Sequence, residues 1–255
     1  MLHYDLIRVL TTVRDRLNRV LESEARDILG DMITTLQESY EKRPKKKIKG
    51  AYQRHEIGYR TIDRPLRFVL TNYRGYSLRA DVICNLRWQM GESLPIHQEL
   101  VLRIWSADQK LMYREHLDSL DIYDLVHGTG KRISERVMLR LHFDLAHAGQ
   151  TGPTHHLQIG GDEQEDEHGW FPNAIEIPRL CHPPFELVLL CQVVLANFFP
   201  DRYRELRNDP EWKQAVKSME SHVLKSYYEG SLRAIENSEA WLDQLWNIPF
   251  DPRPK

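Results

Sequence analysis

Four side chains near the middle of the chain have the types and spacing for acid–base chemistry. Arg140, His142 and Asp144 stand two residues apart in one stretch, and His156 follows beyond a Gly- and Pro-containing segment. An imidazole oriented by a carboxylate moves protons near neutral pH, and an arginine beside it holds an anionic oxygen, which is the equipment of metal-free phosphodiester cleavage. Two histidines and a carboxylate are also a partial ligand set for a divalent transition metal. The plainest reading makes all four the solvated face of an antiparallel sheet.

A hairpin is what would bring them together. From Arg136 to His147 the residues alternate: Val137, Leu139, Leu141, Phe143 and Leu145 point one way, and Arg136, Met138, Arg140, His142 and Asp144 the other. Period two over that length marks a half-buried strand. Ala148 to Pro153 reads as a loop, and Thr154 to Ile159 resumes a strand with Leu157 and Ile159 on its apolar side. Side-chain parity then sets His156 and Gln158 beside His142 and Asp144, and sends His155 to the core side near His147.

Other chemistry-bearing stretches are less specific. Lys45, Lys46, Lys47 and Lys49 belong to the only dense basic run and could neutralise phosphates, although a solvated linker explains the run equally well. The acidic run Asp162 to Glu167 reads as an exposed loop able to dock on that basic run. Gly128-Thr129-Gly130-Lys131 lacks the spacing of a nucleotide-binding loop. Cys181, His182, His155 and His168 have no standard ligand spacing, so no metal centre and no cofactor is assigned. No serine sits in a GxSxG context and no Cys/His order marks a thiol nucleophile.

The positioning elements follow from periodicity. Leu6, Leu10, Val13, Leu17, Val20 or Leu21, and Ile28 recur three or four residues apart, predicting an amphipathic helix from Leu2 to about Leu29. The stripe slips by a residue near Glu24, Gly30 interrupts it, and Met32, Ile33 and Leu36 extend it towards Tyr40 and a stop at Pro44. Its a/d-like spacing suits either self-association or packing within its own chain.

Strands are predicted from Leu66 to Leu117. The best runs from Tyr76 to Trp88, preceded by Arg67 to Tyr73 across a turn at Arg74-Gly75. Gln98 to Ser106 with Leu111 to His116 suggests a second hairpin, and Asp118 to Val126 a short helix. After Pro178 the pattern turns helical. Phe185 to Phe199 is apolar nearly all round and so buried, with Glu186 capping its start and Asn197 about three turns along the same face. Asp201 to Arg207, Pro210 to Tyr228 and Ser231 to Trp246 follow, with a start at Asp209-Pro210 and a stop at Gly230. Trp212, Trp241 and Trp246 should pack on the sheet or on one another, and Pro249 to Lys255 should form a loose tail.

The fold class is therefore α+β, with a long N-terminal helix, a central, mainly antiparallel sheet and C-terminal helices packed on it. Residues 1–43 form the helical segment, 44–177 the sheet region and 178–255 the covering helices, in what reads as one globular domain. A hydrophobic fraction of 41%, a charged fraction of 28% and a formal charge of −2 are ordinary for a soluble domain and give no global reason for a polyanionic or membrane partner. Cys84, Cys181 and Cys191, odd in number and in apolar settings, fit reduced core thiols of a cytoplasmic protein. The expected function is an interaction subunit or adaptor of a larger assembly, associated with nucleic acid and contacting a protein partner or a second copy through the N-terminal helix. The competing expectation is a small hydrolase, most simply a nuclease, using His142 or His156 as acid/base, Asp144 to orient it, and Arg140 with the lysine run to bind phosphate.

Overall fold

The structure, a computed structural model, describes residues 2–41, 56–61, 64–69, 71–73, 75–90, 92–106, 136–146, 154–159 and 180–237. The lysine run at 45–49, the segments 111–116, 118–126 and 128–131, the acidic run, His147, His168, Trp241, Trp246 and the tail from 249 lie outside those residues.

Instead of one long helix the chain begins with two, α1 (Leu2–Arg16) and α2 (Ser23–Glu41). The break falls between them, not at Gly30, and has a backbone cause. Glu22 N–H donates to the Arg67 carbonyl (2.9 Å), Val69 N–H donates to the Val20 carbonyl (2.8 Å), and Leu21 bridges Phe68. The Val20 carbonyl and the Glu22 N–H thus bond to distant extended backbone, while Leu21 N–H still donates to the Leu17 carbonyl at 2.9 Å. The slip in the apolar stripe near Glu24 is the sequence trace of this break, since α2 restarts the stripe at Ala25 and Ile28. The two helices fold back on each other: the His3 ring stacks on Tyr40 (4.0 Å), and its Nε2–H donates to the Leu36 carbonyl (2.9 Å). Leu6, Leu10, Val13 and Leu17 are completely buried, so the stripe packs within its own chain.

Eight strands are described: β1 (Glu56–Arg60), β2 (Leu66–Arg67), β3 (Thr71–Tyr73), β4 (Tyr76–Gln89), β5 (His97–Ser106), β6 (Arg136–Leu145), β7 (His155–Ile159) and β8 (Leu180–Cys181). They form one antiparallel sheet in the order β1-β4-β5-β6-β7-β8, with β2 and β3 also paired to β4. Gly75, at φ 89°, makes the turn between β3 and β4, as the Arg74-Gly75 signal predicts. Both edges of β5 are taken, by β4 and β6.

The C-terminal helices are α3 (Leu187–Phe198), α4 (Pro200–Leu206), α5 (Pro210–Met219) and α6 (Lys225–Asn237), with a π turn at Glu220–Leu224 joining the last two. Asp209 caps α5, accepting the Trp212 N–H at 2.8 Å. Gly230 does not stop the chain, and α6 runs through it. Trp212 is buried within the helical layer, its Nε1–H donating to Gln192 Oε1 at 3.4 Å.

One apolar core joins the helices to one face of the sheet. Val82, Cys84, Leu86 and Trp88 of β4, Leu100, Leu102 and Ile104 of β5 and Phe143 of β6 pack with α1, α2, α3 and α5. Among the described residues no helix is long and apolar enough to cross a membrane.

Candidate functional site

Strand β6 supplies the first candidates. Its pairing with β7 sets Asp144 opposite His156, His142 opposite Gln158, and Leu145 opposite His155. Since directly paired residues share a face, Arg140, His142, Asp144, His156 and Gln158 lie on one side of the sheet and His155 on the other, where parity predicts them. His142 Nδ1 stands 3.9 Å from Asp144 Oδ2, an ion-pair separation longer than a hydrogen bond.

Neighbouring strands extend this face. Across β4, β5 and β6 one row reads Asp81, Arg103, Arg140, the next reads Ile83, Val101, His142 and on to Gln158, and the third reads Asn85, Glu99, Asp144, continuing to His156 and Cys181. Asp81 accepts from Arg79 Nε at 3.2 Å and lies 3.8 Å from Arg67 Nε. Asn85 Nδ2 donates to Glu99 Oε2 at 3.4 Å.

Burial corrects the view of this surface as a solvated sheet face. Asp81 is 2% exposed, His156 4% and Arg140 5%. Ions that far from water persist only when paired, and the arginines around Asp81 do that for the carboxylate. Arg140 and His156 thus present little surface in this arrangement. His142 and Asp144 are only partly covered.

The Cys181, His182 and His155 grouping does not converge. Cys181 is exposed, unlike the buried Cys84 and Cys191, and therefore is not the core thiol expected. The His182 ring packs edge-on against Phe143 and Phe185, and its Nδ1–H donates to the Pro183 carbonyl at 2.6 Å. His155 faces Tyr227 edge-on, and burial, reinforced by His156 and His182, pushes its pKa down to about 3, so the ring stays neutral. His155 behaves as a core aromatic, and His182 is partly buried against aromatic neighbours. Among the described residues no group of three or more histidine, cysteine or carboxylate side chains is placed to hold a metal ion.

Glu186 is the N-cap of α3, its Oε2 accepting the Val188 N–H at 2.8 Å. Tyr59 O–H donates to its other oxygen, a partner 127 residues away that no local pattern announces. Burial raises the Glu186 carboxyl from an ordinary 4.5 to about 7, and burial together with Glu186 pushes the Tyr59 hydroxyl up. Asn197 takes no part: it is exposed, donating to the Val193 carbonyl at 2.8 Å, so the buried Glu/Asn pair is absent. Gln98 is a polar anchor that periodicity missed. Its Nε2 donates to the Phe143 carbonyl (3.0 Å) and its Oε1 accepts the Phe185 N–H (3.1 Å), tying two strands to the entry of α3.

The sequence reading also missed an open cleft of about 830 Å³ on the helical layer. Gln192 of α3, Tyr203 and Arg204 of α4, and Trp212, Lys213 and Lys217 of α5 line it, with Arg207 between the helices and Glu220 at one end. The available signal was weak: two basic pairs, at 204/207 and 213/217, on helices whose approach periodicity does not reveal.

No family model matches this chain, and no curated protein or solved structure is significantly similar to it.

Proposed function

We propose that the protein works by binding, as a cytoplasmic interaction subunit of an assembly that handles nucleic acid. The observation supporting this over catalysis is where accessible positive charge lies. Arg140 and His156 are shielded, whereas Arg204, Arg207, Lys213 and Lys217 are exposed. The run Lys45, Lys46, Lys47 and Lys49 adds to the basic inventory. Exposed cations attract phosphates through counterion release, and charge buried beneath a sheet face does not. A protein partner, or a second copy, would meet α1 on its outward face, where Tyr4 is 62% exposed, because the apolar stripe is occupied inside.

A hydrolytic reading keeps one favourable observation, the His142–Asp144 proximity, with His142 as acid/base, Asp144 as its orienting group and Arg140 and His156 alongside. One experiment separates the two. Labelled RNA and DNA oligonucleotides are incubated with the wild type and with a His142→Ala/His156→Ala variant, following both complex formation and chain cleavage. Binding without cleavage, equal in both proteins and weakening as salt rises, is expected. Cleavage by the wild type that the double variant loses would establish the hydrolase instead, and an absence of any complex at low salt would refute the nucleic-acid association.

A further inference from the structure

We infer that the cleft between α3, α4 and α5 is a binding site for single-stranded nucleic acid. This rests on the nucleic-acid reading above and gives it a location. Four of the residues bordering the cleft are cationic and one, Glu220, is anionic, in a chain whose formal charge is −2. The cleft therefore carries a local excess of positive charge that the whole surface does not.

Among the described residues, nearby carboxylates neutralise only part of it. Arg204 pairs with Asp201, but Arg207, Lys213 and Lys217 form no ion pair among the described residues. The acidic side chains at the start of α5 are committed elsewhere: Asp209 and Glu211 both hold Arg16 of α1, at 3.0 and 2.7 Å. Lys213 and Lys217 are one helical turn apart on α5, a like-charge arrangement that weakens a helix unless an anion lies against both. Successive phosphates of one strand supply such anions.

The concave shape and its aromatic contents select a single strand. The Arg207 guanidinium lies over the Tyr203 ring, 5.8 Å from its centroid, and aromatic rings and guanidinium planes are the groups on which unpaired bases rest. Trp212 and Val216 make the wall behind it apolar. A base stacked on Tyr203–Arg207 leaves its own backbone within reach of the α5 lysines. A duplex keeps its bases inside a convex cylinder and can offer only phosphates.

The test is fluorescence anisotropy of labelled twelve-nucleotide RNA and DNA single strands, and the matching duplex, with the full chain across a salt series. The wild type should bind single strands more tightly than duplex, with log K falling against log salt at a slope near about −3 if four phosphates are neutralised. In Lys213→Glu/Lys217→Glu the affinity at low salt should drop roughly tenfold or more and the slope should flatten by about 1.4. The milder Lys213→Gln/Lys217→Gln, checked by circular dichroism, keeps the test valid should charge reversal unfold α5. Lys225→Gln, outside the cleft, should behave as wild type. Whichever of RNA and DNA binds more tightly identifies the source of the strand. Undiminished binding in a folded Lys213/Lys217 variant would overturn the site while leaving the nucleic-acid reading intact, and failure of every oligonucleotide to bind would overturn both. Duplex binding as tight as single-strand binding would overturn the assignment to unpaired strands.

Discussion

Glu186 carries the clearest consequence at the scale of single residues. A carboxyl with no solvent exposure caps α3 and holds Tyr59, at the cost of a pKa raised to about 7. The folded state therefore binds the proton more tightly than the unfolded chain does. The stability from this group is fully present below about pH 4.5 and is lost as pH rises through about 7, an effect on the order of 3 kcal/mol. Glu186→Gln keeps an oxygen for the Val188 N–H and removes the titration. Urea denaturation from pH 4.5 to 8 should show the wild type losing stability relative to this variant, and parallel pH profiles for the two proteins would contradict the assignment. The sequence showed a carboxylate at a helix start; it could not show that the site was dry, because the groups that dry it come from β1, β4 and the helix itself.

Two glycines with opposite surroundings test the packing of the secondary elements. Gly30 lies within α2 with nothing within 4 Å of where a Cβ would stand, so Gly30→Ala should stabilise the protein by about 0.5–1 kcal/mol through helix propensity alone. Gly58 lies on β1, where a Cβ would meet the Leu86 carbonyl oxygen at 2.4 Å. Gly58→Ala must push β1 off β4, and its thermal midpoint should fall while that of Gly30→Ala rises. Equal shifts in the two variants would mean that the β1–β4 approach is looser than described. Gly30 reads as a helix breaker in the sequence, yet the real break is made by backbone hydrogen bonds that tie Val20 and Glu22 to Val69 and Arg67, partners more than forty residues further on. The β6–β7 hairpin was legible throughout its described length, because alternation and a turn signal are both local.

For the molecule as a whole, the N-terminal stripe decides between an interface and a core. Leu10 and Leu17 are fully buried against their own chain, so Leu10→Ala and Leu17→Ala should each cost about 2–5 kcal/mol in unfolding free energy, according to how far the cavity collapses. A charged replacement, Leu10→Asp, should unfold the protein. If it instead yielded a folded chain that differed only in mass by light scattering, the stripe would be an intermolecular seam after all.

The α+β class, the strands β4 to β7 and the side-chain parity that gathers Arg140, His142, Asp144 and His156 on one face were determined by the sequence itself, whereas β1 and β8 were not. Periods of two and 3.6 are properties of neighbouring residues, and they survive any arrangement of the elements. Whether that face was wet, which carboxyl was dry, where the first helix broke and which cations bordered an open cleft were decided by tertiary structure. Burial and convergence depend on surfaces brought together from distant parts of the chain, as Tyr59 meets Glu186 and as α3, α4 and α5 enclose one hollow.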